Sequence, residues 1–256
     1  MFEKLFIFLF VFFSGCFLYA QDNKLSLSEE NGSKLNVLYR HDVSGKVYVT
    51  PRGSGLMFRQ GRHVTDKTRS FYEIDIQNLK HPKEIKSQGI SEEKKRFVYG
   101  KINSVFLLRG GVGLQHVIFN KGDIKAVEVR YSYSLGPTIA FAKPYYIRVY
   151  KSNTPGLRNQ TTLVKFDTES FSGDSNVVVG RAAYSTGVNE MKFYPGVNAK
   201  FNLSFEYAPY TNLIRAIETG LSLDYFPKAL PIMARNPAEN FVLTFHLGFV
   251  FGTKWY

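Results

Sequence analysis

The sequence is poor in cysteine, in long apolar runs and in acidic residues, and each shortage excludes a class of protein. Its 256 residues contain one cysteine, Cys16, so neither a disulfide scaffold nor thiol catalysis is available to the rest of the chain. No apolar run reaches the roughly 18 residues that a membrane-spanning helix needs. Lys and Arg number 33 against 21 Asp and Glu, a net charge of +12 that favours an anionic partner.

The short motifs of common enzymes and metal sites are also missing. The sequence contains no Gly-x-Ser-x-Gly elbow, no phosphate-binding loop and no zinc signature. No two of the five histidines stand three to five residues apart, so we expect no metal site. Glu73 and Asp75 share one strand face about 6.5–7 Å apart. That spacing alone is weak support for acid–base catalysis, and an outer-membrane barrel enzyme acting on lipid or peptide stays open as an alternative.

Residues 1–20 have the pattern of a secretory signal peptide. Lys4 supplies a basic start, residues 5–13 form an unbroken apolar run, and Ala20 is a small residue at the expected cleavage point. We therefore expect residues 21–256 to form one exported domain. Residues 13–16 also resemble a lipoprotein cleavage box, so lipidation of Cys16 stays open. For an exported chain, lipid headgroups or an acidic protein suit the basic charge better than nucleic acid does.

The last strand-like run, residues 241–255, separates large apolar side chains from small or polar ones. Side chains alternate across a strand, which places Phe241, Leu243, Phe245, Leu247, Phe249 and Phe251 on one face. Aromatic residues make up 16% of the sequence, including 23 Phe and 16 Tyr, as expected for strands and for the aromatic girdles of membrane barrels. A soluble sandwich that buries these aromatic faces is the alternative.

The pattern predicts an all-β fold: a closed antiparallel transmembrane β-barrel of about ten strands, with eight as the other number considered. The strand-like runs are residues 35–41, 45–50, 54–62, 69–79, 102–119, 124–135, 138–150, 197–208, 213–226 and 241–255. Short links at 50–53, 136–137 and 209–212 indicate the periplasmic side, and one long extracellular loop spans 151–196. In this scheme the long, charged connection 80–99 falls on the periplasmic side, where barrels of this kind have short turns, so it is an exception.

Several stretches resemble a family of outer-membrane β-barrel proteins of the Bacteroidetes. They are residues 71–76 (FYEIDI), 80–85 (HPKEI after Lys80), 97–103 (FVYGKIN), 108–113 (LRGGVG), 191–201 (MKFYPGVNAKF) and 231–234 (PIMA). The resemblance covers nearly the whole exported chain and brings no catalytic residues with it. The chain is also similar to small BamP-like accessory barrels of outer-membrane assembly and secretion complexes. This implies a scaffold role beside a larger machine.

Three groups of residues follow from this reading as candidates for function. The first is an inward-facing charge network, whose members must pair because a narrow lumen is filled by side chains. It comprises Arg59, Glu73, Asp75, Arg109, Glu128, Arg130, Arg148, Glu206, Asp224 and His246. The second is a partner-docking set: Lys80, His81, Lys83, Lys94, Lys95 and Arg96. The third is the C-terminal insertion signal, formed by Phe251, Trp255 and Tyr256.

We therefore expect a non-enzymatic barrel of the bacterial outer membrane, exported by its signal peptide and without a cofactor. Its expected role is that of an accessory or scaffold subunit in an envelope protein-assembly or secretion complex. Its expected partners are outer-membrane lipid and that larger protein complex, not nucleic acid. A small-solute channel is a further alternative, although a barrel of this size leaves little room for water.

Overall fold

The computed structural model describes residues 41–65, 67–88, 96–119, 127–150, 161–165, 178–207, 212–234 and 236–255. The predicted signal segment 1–20 with Cys16, the docking candidates Lys94 and Lys95, and Tyr256 lie outside these residues. None of the helices in the described part of the chain is long and apolar enough to span a membrane.

Eight antiparallel strands close into a barrel, which confirms the predicted fold class at the lower of the two strand numbers considered. The wall consists of β1 (His41–Thr50), β2 (Gly53–His63), β3 (Thr68–Leu79), β6 (Asn103–Phe119), β7 (Glu128–Pro144), β11 (Lys192–Glu206), β12 (Leu213–Leu230) and β13 (Glu239–Trp255). Around the wall the order is β1-β13-β12-β11-β7-β6-β3-β2. The first and last wall strands pair with each other, from His41 opposite Trp255 to Val49 opposite Leu247, so the sheet has no free edge.

In the described parts of the connections between wall strands lie five short strands and one turn of 3₁₀ helix. A two-stranded sheet joins β4 (Lys86–Gln88) to β5 (Arg96–Val98). A three-stranded sheet contains β8 (Tyr146–Tyr150), β9 (Thr161–Lys165) and β10 (Val178–Arg181), with β8 in the middle. The 3₁₀ turn, Val188–Glu190, precedes β11. Phe97, Ile147, Val178 and Ala234 form a small apolar core shared by these connections.

Two predicted breaks in the wall are absent, which reduces ten strand-like runs to eight strands. The turn predicted at residues 42–44 lies within β1, because Asp42 and Ser44 point into the barrel like Lys46 and Tyr48. The break predicted at residues 136–137 lies within β7, where the ladder to β6 is interrupted but keeps its register on both sides.

The continuity of β7 has a local cause. Pro137 has no N–H to donate to a neighbouring strand. Where the ladder is interrupted, the side-chain amide of Asn198 in β11 donates to the Gly110 carbonyl of β6 at 3.3 Å and to the carbonyl oxygens of Gly136 at 3.0 Å and Pro137 at 2.8 Å. A Cβ on Gly136 would come within 2.1 Å of the Gly110 carbonyl oxygen, so glycine permits the close approach of the two strands here.

The two ends of the barrel differ in the length of their connections. One end, here called the long-loop end, carries the links 51–52, 80–102, 145–191 and 231–238. The other, the terminal end, carries the links 64–67, 120–127 and 207–212, together with the start of β1 and the end of β13. The predicted sides are therefore wrong in part: links 50–53 and 80–99, both assigned to the periplasmic side, share an end with the connection that contains loop 151–196, whereas link 209–212 lies at the opposite end. The merging of two predicted strands into β1 reverses the direction assigned to β2, β3 and β6, and the merging of two more into β7 restores it.

The outer face of the wall is apolar on every strand. Its exposed large side chains include Val47, Leu56, Phe58, Tyr72, Ile74, Val112, Tyr133, Leu135, Val197, Phe201, Ile217, Leu221, Phe245, Leu247 and Phe249. The inner face carries buried polar and charged groups over most of its length. This distribution of side chains is the reverse of that in a soluble protein, in which large apolar side chains are buried and charged ones are exposed.

At the long-loop end the interior changes from polar to apolar. Ten buried residues meet there from the ends of β3, β6, β7, β11, β12 and β13: Leu79, Val105, Leu107, Ala140, Ala142, Tyr194, Phe226, Leu230, Ile232 and Val242. We call this group the apolar seal. Residues 100–102 bond to the link that follows β12, since the backbone N–H of Ile102 donates to the Ile232 carbonyl at 3.0 Å and that of Ala234 to the Gly100 carbonyl at 2.7 Å.

Candidate functional site

The middle of the barrel contains a continuous chain of alternating charges, which we call the ionic chain. Its order is Lys46, Glu218, Arg59, Glu73, Lys200, Asp75, Arg109 and Asp224. Consecutive members approach within 2.7–3.2 Å, and every side chain is at least 96% buried. Because positive and negative members alternate and are equal in number, the chain is neutral as a whole.

Arg109 makes four side-chain hydrogen bonds in the lumen. Its Nε and Nη2 donate to the two oxygens of Asp224 at 2.7 Å each, in the paired geometry that makes arginine–carboxylate bonds strong. Its Nη1 donates to Asp75 at 3.2 Å and to the Gln77 side-chain oxygen at 2.7 Å. The one guanidinium thereby joins β3, β6 and β12 across the lumen.

Tyr48 connects the ionic chain to the wall at a position where both neighbouring strands carry glycine. It lies opposite Gly55 of β2 and Gly248 of β13, and a Cβ on Gly55 would come within 2.4 Å of the Tyr48 ring. The tyrosine hydroxyl donates to Asp75 at 2.5 Å. Gly55 therefore leaves room for the Tyr48 ring to pass over β2 and reach Asp75 on β3.

A second, smaller charge cluster lies towards the terminal end. Arg69 pairs with Asp42 at 2.8 Å, and Arg130 pairs with both Glu128 and Glu206 at 2.6 Å. Lys254 adds a bond to Glu206 at 2.8 Å. This cluster is also neutral, so the excess positive charge of the protein does not reside in the lumen clusters.

The lumen charges predicted from the sequence lie mostly where expected, with one exception. Arg59, Glu73, Asp75, Arg109, Glu128, Arg130, Glu206, Asp224 and His246 point inward from wall strands. His246 is buried, with Nε2 2.8 Å from the Asn202 side-chain oxygen. Arg148 is the exception, because β8 belongs to the three-stranded sheet outside the wall.

Sequence reasoning missed six charged lumen residues. They are Asp42, Lys46, Arg69, Lys200, Glu218 and Lys254. Lys46, Lys200 and Glu218 could have been found, because each alternates with an outward apolar neighbour: Val47, Phe201 and Ile217. Asp42 was assigned to a turn, which removed it from the inward set.

The arrangement of the lumen charges is suited to holding the wall strands together and less suited to a chemical reaction. The carboxylates of the ionic chain all face cations that hold them, and the apolar seal lies between that chain and the long-loop end. Within the described ranges, no cluster of three His, Cys, Asp or Glu could hold a metal ion.

The described members of the docking set lie at the long-loop end, where contacts fix the start of connection 80–102. The Lys80 backbone N–H donates to the Arg52 carbonyl at 2.7 Å, and Lys83 Nζ donates to the Asn236 side-chain oxygen at 3.0 Å. His81 Nε2 lies 3.4 Å from Glu239, and partial burial lowers the pKa of this imidazole despite the carboxylate. The side chains of Lys80, Lys83 and Arg96 are exposed.

The two described residues of the predicted insertion signal end the last wall strand. Phe251 points outward, and the Trp255 ring stacks on His41 with centroids 6.2 Å apart. Trp255 thus contributes to the seam at which the first and last strands close the barrel.

No family model and no curated protein matches the chain. Among solved structures it is similar to Neisserial surface protein A (NspA), at 10% identity over 84% of this chain and 95% of that one, TM-score 0.38. It is also similar to the N-terminal β-barrel domain of Pseudomonas aeruginosa OprF, at 9% identity over 84% and 97%, TM-score 0.37. A third structure is the attachment invasion locus protein Ail of Yersinia pestis in complex with the heparin analogue sucrose octasulfate, at 8% identity over 85% and 100%, TM-score 0.41. The closed barrel itself rests on the strand pairings of this chain.

Proposed function

We propose that this chain is a non-enzymatic barrel of the bacterial outer membrane that holds a binding surface at the membrane face. The apolar outer face supports the location, since all eight wall strands expose large apolar side chains there. Strands of 10 to 18 residues suit a bilayer, which a tilted strand crosses in about 9–11 residues. Long loops of such barrels face outward from the cell, so we assign the long-loop end to the cell exterior.

The filled interior supports anchoring over transport. The ionic chain crosses the lumen from β1 to β12, and the apolar seal follows it. An eight-stranded barrel encloses little more than its own side chains, and a water-filled path would need these ion pairs to separate. The small-solute channel is therefore the weaker alternative.

The specific role we propose is that of an accessory or scaffold subunit in an envelope assembly or secretion complex, as the resemblance to BamP-like accessory barrels implies. One observation carries this role: the long-loop end presents ordered basic side chains on structured connections. Lys80, Lys83 and Arg96 are exposed there, while the first part of connection 80–102 is held by bonds to neighbouring links. Such a surface suits an acidic partner that recognises a fixed arrangement of charges.

The test is quantitative co-purification in mild detergent after chemical crosslinking in the membrane. The triple variant Lys80→Gln, Lys83→Gln, Arg96→Gln should fold normally, because exposed ion pairs contribute only about 0–1 kcal/mol each. It should recover less of the larger complex than the unaltered protein. The amount recovered with the variant should fall further as salt is raised, because salt screens the charge attraction that the variant still has for its partner.

The matched control removes the same charge from the opposite end. Arg62, Lys67 and Arg215 are exposed at the terminal end, and their replacement by Gln should leave recovery unchanged. Equal loss in both triple variants, or full recovery of the complex by the first variant at every salt concentration, would contradict the proposed role.

A further inference from the structure

An open cavity lies at the long-loop end, outside the barrel wall. Its volume is about 460 Å³, within the range of roughly 300–1,000 Å³ that is common for small-ligand sites. The two-stranded sheet contributes Lys86, Arg96, Phe97 and Val98, and the three-stranded sheet contributes Tyr146 and Arg181. The end of β7 with the following Tyr145 forms a further wall. The cavity therefore lies between the two small sheets, above the barrel.

Its lining is strongly basic. Among the described residues, six cationic side chains border it, Lys80, Lys86, Arg96, Lys101, Lys143 and Arg181, against one carboxylate, Glu84. Lys101 engages both oxygens of that carboxylate at 2.8 Å. Among the residues that the structure describes, no carboxylate pairs with Lys80, Lys86, Arg96 or Arg181. These like charges repel one another, and an anion in the cavity would relieve that repulsion.

The position of the cavity residues is partly fixed by bonds within the lining. The Tyr145 hydroxyl accepts from the backbone N–H of Val98 at 3.1 Å, which joins the end of the two-stranded sheet to the segment after β7. Lys143 donates to the Tyr184 carbonyl, and its Nζ lies 4.0 Å from the centre of the Tyr184 ring. The Tyr184 side chain is nevertheless 64% exposed, so ring surface remains for a ligand to cover.

Two arginines among the six cations indicate the type of anion. A planar guanidinium offers two parallel N–H donors, which match the oxygens of phosphate or sulfate better than a single ammonium does. Lysines supply the remaining charge without that directional demand. The exposed Tyr184 ring suits the face of a sugar, because its flat apolar surface can cover the C–H groups of the sugar.

We propose that this cavity binds a saccharide-sized ligand carrying two or more phosphate or sulfate groups. Two sources offer that chemistry at the outer face of an outer membrane. One is the phosphorylated glucosamine headgroup of the lipid in the same membrane, and the other is a soluble phosphorylated or sulfated sugar. The inference goes beyond the scaffold role and does not depend on a protein partner, because small anions test it directly.

The experiment measures binding to the full-length exported protein in nonionic detergent and in nanodiscs. Isothermal titration with fructose 1,6-bisphosphate, and with a trisulfated heparin disaccharide, tests the soluble source, with fructose as the uncharged reference. Nanodiscs containing lipid A with two phosphates, or its monophosphoryl form, test the lipid source. Binding to a phosphorylated or sulfated probe in either arm, and weaker binding of its less charged reference, is the expected result.

The variant Lys86→Gln, Arg181→Gln removes two exposed cations that pair with none of the described carboxylates, and it should still form the barrel. Its affinity for the bound probe should fall at least about tenfold, because each charge-assisted bond lost to an anion is of that order. The matched control Lys192→Gln, Lys228→Gln removes the same charge from exposed positions at the same end, outside the lining. Its affinity should stay within about twofold of the unaltered protein.

Three results would overturn the inference. They are no binding of any probe by the unaltered protein, equal loss of affinity in both double variants, and equal binding of charged and uncharged sugars. Equal loss would show diffuse surface attraction instead of a site. Retained co-purification of a larger complex alongside any of these results would leave the scaffold role intact, so the two proposals fail separately.

Discussion

At the scale of single residues, the interior is organised by charges that satisfy one another. A carboxylate or guanidinium removed from water costs several kcal/mol unless a partner and further hydrogen bonds replace its solvent. Glu73 shows how this is met, since Arg59, Lys200 and the Ser134 hydroxyl all contact it within 3.3 Å. Removing one member therefore takes a partner from each neighbour and leaves an unbalanced charge in the buried chain.

Arg109→Ala tests this at a cation that contacts two carboxylates of the ionic chain. The substitution leaves Asp224 and Asp75 without their shared cation, so the free energy of unfolding should fall by about 3–5 kcal/mol. Urea unfolding of the detergent-refolded protein, followed by the shift of the folded band on unheated gels, measures the loss. Arg62→Ala, on the outer face of β2, should change stability by less than about 1 kcal/mol. Equal stability of the two variants would show that the ionic chain contributes no cohesion.

At the scale of elements, period-two alternation predicted most of the wall, because each strand divides an apolar membrane face from a polar interior. Residues 241–255 correspond to the last strand, Glu239–Trp255, nearly residue for residue. Alternation failed where turn-forming residues occur inside a strand. Pro137 suggested an end to β7, but Asn198 from another strand donates to the Gly136 and Pro137 carbonyls there. A contact between residues so distant in sequence cannot be read from local pattern.

The candidate sites divide in the same way. The inward orientation of charges such as Arg59 and Asp75 can be predicted from the alternation of apolar and polar residues along each strand. Their ion-pair partners on other strands cannot, because these depend on how the strands pair to close the barrel. The cavity at the long-loop end was not predicted at all, since Lys86 and Arg181 come together only through the folding of two separate connections. Only the basic character of residues 80–97 pointed towards it.

Shortening the last strand tests the closing seam. β13 pairs with both β12 and β1, and Trp255 stacks on His41 at the end of that seam. Deleting Trp255 and Tyr256 should lower the amount of membrane-inserted, heat-modifiable protein, because assembly of barrels depends on this terminal amphipathic strand. Substituting Tyr72, an exposed aromatic in the middle of the wall, by Phe is the control and should not reduce insertion. Unchanged insertion of the shortened chain would contradict a role for its terminal residues.

At the scale of the whole molecule, the orientation of the barrel decides which partners can meet the basic surface. The sequence alone predicts that residues 80–99 lie in the periplasm. In the structure, the connection from β3 to β6 lies at the end of the barrel opposite the start of β1 and the end of β13. Lys86→Cys at the long-loop end and Lys67→Cys at the terminal end report the two sides, and both positions are exposed. On intact cells a membrane-impermeant maleimide should label Lys86→Cys, and should label Lys67→Cys only after the outer membrane is permeabilised. The unaltered chain corrects for Cys16, the one native cysteine. The opposite labelling pattern would place the basic surface and its cavity in the periplasm, and equal labelling of both positions on intact cells would contradict a membrane-spanning barrel.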